Sequence, residues 1–549
     1  MRNGSSSLAY AELLDREPQR HDLVLGLVGA IGTEWTRIID AFRTSHQRFG
    51  YRTEVIDVSK LLDGLDYKPL GDLPVERSVE YYIKRMNAGD QLRRDVKTGS
   101  AMAVLAIQEI ARLRELREEA GSESGDLDAD GLLDQSPASE EGNFIQKRQP
   151  VVYLLKSLKH PDEVDLLRNV YGQAFSLVAV VSSRGDRRRE LVRSLGLENT
   201  PTAKAEELIA RDEADTSDPY FGQNVRDTYA MSDVFVPGDI GMNLSRDIDR
   251  FVDALFGHPF LTPTPHEEAM QAAQHAALRS SAPGRQVGAA LVTALGMPVV
   301  TGTNEVPRPG GGQFWEGHTP DYRDFQLRED PNPVYIRQIV QDFLEKLVKF
   351  KWLKKPYRQM NGEQLLKAAS EHNDAGDSLI DEIRAKDLIE FIRCLHAEQA
   401  AIVGAARSGT STEGAKLFCT TFPCHECAKL IVGSGIVEVY YVEPYPKSLV
   451  ERLYGDLIDL APSMTGAPRT ASDKVPFYQF IGIAPRMYSR AFTASTRKIG
   501  IEFVDFDRSQ AHPEVRNYSE GTIVERELAI AFDITEKLDS LVLSSSKGK

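Results

Sequence analysis

Leu417-Phe418-Cys419-Thr420-Thr421-Phe422-Pro423-Cys424-His425-Glu426-Cys427-Ala428-Lys429-Leu430-Ile431-Val432 is the stretch that decides the fold of the second half of this chain. The apolar run 417–420 is short and stops at Pro423, which reads as a buried strand, and Ala428 to Val432 reads as the helix that follows. Cys424 and Cys427 sit where that helix begins, and there the free backbone N–H groups and the positive end of the helix dipole favour thiolate over thiol. Upstream, His396-Ala397-Glu398 opens a second helical run, Gln399 to Ala406, closed by Ser408-Gly409. Both groups therefore stand at helix N-termini of an α/β domain.

One imidazole and two thiolates supply three ligands of a tetrahedral zinc and leave the fourth position for water. His396, Cys424 and Cys427 are the expected metal ligands, one Zn2+ per subunit, and Glu398 beside the histidine is the expected catalytic acid and base. A structural zinc ribbon would want a fourth protein ligand, yet Cys394 and Cys419 read as core and His425 points elsewhere on its helix. A redox dithiol would leave His396 and Glu398 idle. Zinc lowers the pKa of a water towards about 7. Glu398 would take that water's proton, pass it to a ring nitrogen and later protonate the departing amine. The pattern H-x-E…P-C-x-x-C is the signature of zinc-dependent nucleobase deaminases, with hydrolytic loss of an amino group as the net reaction.

Ala269 to Arg279 reads as a helix, Gln286 to Val292 as a strand and Met297 to Gly302 as its hairpin partner. With Arg279-Ser280, Arg285-x-Val287-Gly288-Ala289, Thr301-Gly302-x-Asn304-x-x-Pro307, the zinc motif and Tyr445-Pro446-Lys447-Ser448, this region resembles the deoxycytidylate deaminase branch of the cytidine deaminase superfamily. The resemblance implies an α/β/α cytidine deaminase-like domain in which Asn304 contacts the sugar or base. It also implies Ala397, Arg285 and Lys447 as further substrate-binding residues, and homo-oligomers with sites near subunit boundaries. Read alone, Asn304 is equally a turn former before proline. Phe477 to Tyr488 matches the family's tail, expected over the active site or a neighbouring subunit. Arg486 there either meets a phosphate or sits exposed on a turn.

The chain departs from a plain deoxycytidylate deaminase by a helical insertion, 313–394, between Asn304 and His396. Within it, Tyr335 to Trp352 reads as an amphipathic helix with Ile336, Ile339, Val340, Phe343, Leu344 and Leu347 at helical spacing, a stripe suited to core or to a subunit interface. The insertion leaves open whether the family's phosphate-contacting loops are kept.

In the N-terminal half, the apolar strand Leu23 to Val28 runs into Gly29-Ala30-Ile31-Gly32-Thr33 ahead of a helix carrying Trp35, Ile38 and Phe42. Strand, glycine loop and helix is the setting in which backbone N–H groups hold phosphate, which makes Gly26, Gly29, Gly32 and Thr33 the candidate nucleotide-binding residues. Aligned to G-x-x-x-x-G-K-[ST], Gly26 and Thr33 match, whereas Ile31 replaces the second glycine and Gly32 the lysine. Further strands at 54–58, 151–155, 177–181 and 233–236 imply a P-loop nucleotide-kinase-like parallel sheet. Without the lysine, a nucleotide effector at this domain is expected rather than phosphoryl transfer; a bifunctional kinase and deaminase is the alternative. Arg184, Arg187, Arg188, Arg189, Arg211 and Arg226 could hold phosphate, but a solvated charged face is the better reading of each.

A net charge of -15 argues against a polynucleotide-binding surface. Free deoxycytidine nucleotides are the expected partners, and a nucleic-acid deaminase with an N-terminal binding module is the competing reading. Four cysteines leave no disulfide framework, and no segment reads as a signal peptide or a membrane span, so the expected localisation is cytoplasmic. The expected organisation is a flexible 1–20, a degenerate P-loop domain 21–257 with an acidic loop 121–146, a linker 258–265, the deaminase domain 266–510 and an extension 511–549. That architecture resembles, over nearly the whole chain, the bacterial anti-phage dCTP/dCMP deaminases (AvcD-like), and the resemblance implies depletion of the dCTP pool during phage infection.

Overall fold

The computed structural model describes residues 20–65, 74, 78–123, 149–195, 203–213, 220–239, 242–293, 296–372, 378–444, 448–460, 474–493, 496–513, 515 and 520–546. The acidic stretch 121–146 lies, after its first three residues, outside them, and so does Lys447. The chain forms two compact units.

The first unit is built from β1 (Leu23–Val28), α1 (Trp35–Arg48), β2 (Arg52–Asp57), β3 (Val151–Lys156), β4 (Phe175–Val181), α2 (Arg184–Ser194), α3 (Ala203–Glu213), β5 (Val234–Pro237) and α4 (Leu244–Leu255). The five strands are parallel in the order β5-β4-β1-β3-β2. Every residue of β1 and β4 is buried, as the continuous apolar runs require of strands covered on both faces. The parallel α/β sheet expected of this half is present.

The second unit begins at Thr264, where Thr264 and Glu267 form a capping box that starts α5 (Pro265–Ala277). It continues through β6 (Gly288–Val292), β7 (Pro298–Thr303), α6 (Pro331–Lys349), α7 (Gly362–Ser370), α8 (Ala397–Ser408), β8 (Lys416–Thr421), α9 (His425–Gly433), β9 (Glu438–Glu443), β10 (Ile458–Asp459) and β11 (Val475–Gln479). The sheet order is β10-β11-β9-β8-β6-β7, with β6 antiparallel to both its neighbours and the other pairs parallel. Leu417, Ile431 and Val439 are wholly buried where α8 and α9 meet this sheet, each contributing about 1.5–3 kcal/mol. Two glycines set how closely helices lie on the sheet. A Cβ on Gly288 would collide with the backbone of Ala273 on α5, and one on Gly302 with the backbone of Ala397 and Ala401 on α8.

The boundary drawn at residue 510 differs from the structure. From Phe480 the chain belongs to the first unit, because β12 (Gly482–Ile483) adds an antiparallel edge strand to β5 and Phe480 packs its ring against Phe235. Turn-rich sequence around Gly482 carries no signal for which sheet it joins. Farther on, α10 (Glu520–Ser546) is tied to the first unit by a bidentate Arg114–Glu527 pair at 2.6 and 3.1 Å, with Tyr171 donating to Glu527 at 2.8 Å. Among the described residues no helix is long and apolar enough to cross a membrane.

Candidate functional site

His396 is the residue before α8, and its backbone N–H is held by Gln399 Oε1 at 3.1 Å. Cys424 occupies the corresponding place on α9 because Pro423 ends the extended segment from β8. Parallel pairing of β8 with β9, and packing of α8 against α9, brings these two helix starts together. His396 Nδ1 lies 3.2 Å from Cys424 Sγ and 3.3 Å from Cys427 Sγ, and the three donor atoms fall within 4.8 Å of one another. Two soft thiolates and one imidazole, converging on one point, are a donor set that fits zinc. Among the described residues this is the group of His, Cys, Asp or Glu placed to hold a metal ion.

The electrostatics of the group follow from burial and mutual contact. The Cys424 thiol is pulled down by a hydrogen bond from Cys427, against the effect of burial, and then by His396. Burial pushes the Cys427 thiol up, and so does its contact with the Cys424 sulfur. Glu398, in the first turn of α8, is buried and touches Cys427; desolvation raises its carboxyl above the ordinary range, with the Cys424 charge adding to the effect. A carboxyl so placed holds a proton more readily than a solvated one, as a proton shuttle requires. Cys419 and Cys394 stand apart from the metal group: burial raises both thiols, and Cys394 sits against Asp324.

Of the candidate substrate residues, Asn304 and Arg285 lie at the same end of the sheet with their side chains engaged. Asn304 Oδ1 accepts from Val287 N and its Nδ2 donates to Arg285 O, both at 2.7 Å, so its amide closes the loop that enters β6. Arg285 pairs with Glu443 at 3.2 Å. Ala397 is fully buried under Gly302. Two residues that sequence reasoning passed over hold this corner. Glu305, buried, accepts from Ser281 N and Oγ and from Val306 N, and its backbone bridges Leu395, next to His396. Thr420 Oγ1 accepts from Gly288 N at 3.1 Å. A glutamate beside a turn carries no pattern that separates a buried anchor from a surface charge.

In the first unit the glycine loop is occupied by its own chain. Ile31 N donates to Asp212 Oδ2 at 2.6 Å, and Lys159 Nζ reaches both Asp212 Oδ1 at 2.8 Å and Gly29 O at 3.0 Å. Thr33 Oγ1 donates to Ala30 O. Gly32, at φ 86°, is pressed against the Arg187 backbone. Gly26 is not a loop residue: it lies inside β1, and a Cβ there would stand 2.6 Å from Leu158 Cδ1, so close packing explains it. The arginines are paired internally, Arg184 and Arg188 with Glu206, Arg187 with Glu213, Arg189 with Asp186, Arg211 with Asp90 and Arg226 with Asp227. Arg486, in the short turn Pro485–Met487 after β12, donates to Met231 O within the first unit.

Comparison with known proteins agrees with this geometry. Residues 263–443 match the cytidine and deoxycytidylate deaminase zinc-binding region. The chain is 50% identical over 54 residues to the deoxycytidylate deaminase of Enterobacteria phage T2, covering 10% of this chain and 29% of that protein. It is 40% identical over 65 residues to ComE operon protein 2 of Bacillus subtilis, covering 11% and 34%. The chain thus spans about three tenths of the length of the curated relatives it matches. A dCMP deaminase from the cyanophage S-TIM5, solved in complex with dCMP and dUMP, aligns at 19% identity over 40% of this chain and 100% of that one, with a TM-score of 0.21. The match to the deaminase zinc-binding region spans both His396-Ala397-Glu398 and Cys424 to Cys427.

Proposed function

We propose that this chain catalyses the zinc-dependent hydrolytic deamination of free deoxycytidine nucleotides, dCTP, dCMP or both, to the deoxyuridine nucleotides with release of ammonia. The observation that carries the reading is the convergence of His396 Nδ1, Cys424 Sγ and Cys427 Sγ beside the buried Glu398 carboxyl. Zinc held by those three residues would act as a Lewis acid and bring a water's pKa towards about 7. Glu398 accepts a proton from the attacking water and delivers it to N3 of the ring, then takes the second proton from the new C4 hydroxyl and passes it to the amino group, which leaves C4 as ammonia. One water enters and one ammonia departs, so atoms and charge balance. Burial of Glu398 raises its affinity for a proton, the direction a two-way shuttle needs.

Asn304, Ala397, Arg285 and Lys447 are the proposed substrate contacts, with the Asn304 hydrogen bonds to residues 285 and 287 holding the entrance loop in place. A net charge of -15 favours a free nucleotide over a polynucleotide. For the first unit we favour nucleotide-dependent control over phosphoryl transfer, since Gly32 stands where a P-loop carries its lysine. We further propose that the parallel α/β unit is a degenerate P-loop, kinase-like domain and that the chain, a cytoplasmic homo-oligomer, drains the dCTP pool against phage. The reading is tested by incubating the zinc-loaded chain with dCMP, dCTP, cytidine and a cytosine-containing single-stranded oligonucleotide, with and without a second nucleotide as effector. Deoxyuridine nucleotide is the expected product; deamination of the oligonucleotide alone would overturn the reading.

A further inference from the structure

One acidic side chain of the first unit sits where the loop after β1 would take an anion. Asp212, near the end of α3, is wholly buried. Ile31 N donates to its Oδ2 at 2.6 Å, and Lys159 Nζ donates to its Oδ1 at 2.8 Å. Lys159 Nζ also reaches Gly29 O at 3.0 Å, so the ammonium is fixed against the loop itself. A loop N–H and a lysine on the two oxygens of one carboxylate are the donors that such a loop offers to phosphate. This lysine comes from the segment after β3, not from the loop, where Gly32 stands in the lysine's place.

Two further observations mark the place as more than a structural ion pair. β1 and β4 are neighbours in the sheet, and the chain leaves them in opposite directions, from β1 towards β2 and from β4 towards β5. Parallel sheets bind ligands at such a switch point, beyond the carboxyl ends of the strands. The glycine loop follows β1 and Arg187 follows β4, with the Arg187 backbone against Gly32. Arg187 is 8% exposed, and its Nη2 donates to Glu213, the neighbour of Asp212, at 2.8 Å. Its Nε and Nη1 are buried with no hydrogen-bond partner among the described residues. Buried guanidinium donors are rarely left open, and these two call for an acceptor that the chain does not supply.

We propose that Ile31 N, Lys159 and Arg187 form a phosphoryl-binding site that Asp212 closes from within. The ligand is the terminal phosphate of a nucleoside di- or triphosphate, which takes over the acceptor role of the Asp212 carboxylate and brings further oxygens for Arg187. α3 is the cover: Leu208 and Ile209 pack in one cluster with Ile31 and Leu191, and the carboxylate must withdraw with the end of α3 before a phosphate enters. Because a phosphate carries at least the charge of the carboxylate it replaces, Lys159 stays paired in either state. This site rests on the reading of the first unit as nucleotide-controlled, and supplies both the cation that the loop lacks and the group that a ligand displaces.

Calorimetric titration of the full zinc-loaded chain with inorganic pyrophosphate, with zinc counted before and after, tests this. Asp212→Asn keeps an acceptor for Ile31 N, removes the competing charge and should bind pyrophosphate at least about tenfold tighter than the parent. Adding Lys159→Met or Arg187→Gln to Asp212→Asn, with the fold of each checked by circular dichroism, should cancel that gain. An Asp212→Asn chain that binds no more tightly than the parent, or a gain that survives both added substitutions, would overturn the site. Deamination of dCMP followed in the same samples separates this site from the control reading it rests on. A pyrophosphate gain with unchanged turnover keeps the site and removes the control. Turnover that answers to a nucleotide without any pyrophosphate gain keeps the control and removes the site.

Discussion

Gly302 on β7 and Ala397 on α8 stand backbone to backbone, and a methyl group at position 302 would collide with the Ala397 carbonyl oxygen and the Ala401 nitrogen. That approach fixes where the first turn of α8 lies, and with it His396 and Glu398. Gly302→Ala should therefore push α8 off the sheet and cost about 2–4 kcal/mol of stability in the second unit. It should also lower the zinc bound per chain. Thermal unfolding with metal analysis checks both, and a variant of unchanged melting temperature and full zinc content would contradict the assignment.

The same buried logic operates at the glycine loop. Asp212→Ala removes the acceptor of Ile31 N and leaves Lys159 without its carboxylate. Breaking a buried charge pair on one side costs about 3–5 kcal/mol, so the urea midpoint of the first unit should fall clearly, while Asp212→Asn, which keeps an acceptor, should lose less. Equal midpoints for all three proteins would show that the contact contributes nothing.

The anchor of α10 is open to a similar trial. Arg114 and Tyr171 both bond Glu527, and Glu527→Ala takes this carboxylate away from the buried guanidinium. The expected effect is a loss of about 3–5 kcal/mol and of amide protection along residues 520–533, read by hydrogen exchange. Protection equal to that of the parent would rule the anchor out.

A histidine gives the first unit a pH dependence. Burial holds His46 down at about 3, against an ordinary value of 6.5, with its ring bonded to Thr53 at 2.9 Å and wholly enclosed. The folded value is depressed, so on acidification the unfolded chain takes the proton first. The stability due to neutral His46 is fully present above pH 6.5 and is lost as pH falls towards 3, by about 1.4 kcal/mol per unit. Between pH 6.5 and 5 the parent should lose about 2 kcal/mol more than His46→Gln; parallel stability curves would sink the prediction.

Spacing alone made the metal group legible: C-x-x-C at one helix start and H-x-E at another have few other uses together, and the folded chain brings His396, Cys424 and Cys427 within 4.8 Å. Continuous apolar runs likewise revealed β1, β3, β4 and β8, since strands covered on both faces leave no polar positions to blur the pattern. What escaped depends on distant partners. Asp212 lies far along the chain from the loop it fills, Gly26 looked like a phosphate residue until Leu158 and Phe175 were seen against it, and the short strand β12 joins the earlier sheet through contacts that no local pattern encodes.

The central claim is that Glu398 moves the protons of a hydrolytic deamination at the site of His396, Cys424 and Cys427. Its most direct measurement is the steady-state release of ammonia from dCMP and dCTP by the zinc-loaded chain and by Glu398→Gln, with zinc counted in both. Equal zinc and a turnover lowered by about 10²–10⁴ in the variant are expected. Turnover near that of the parent at full zinc occupancy would contradict it.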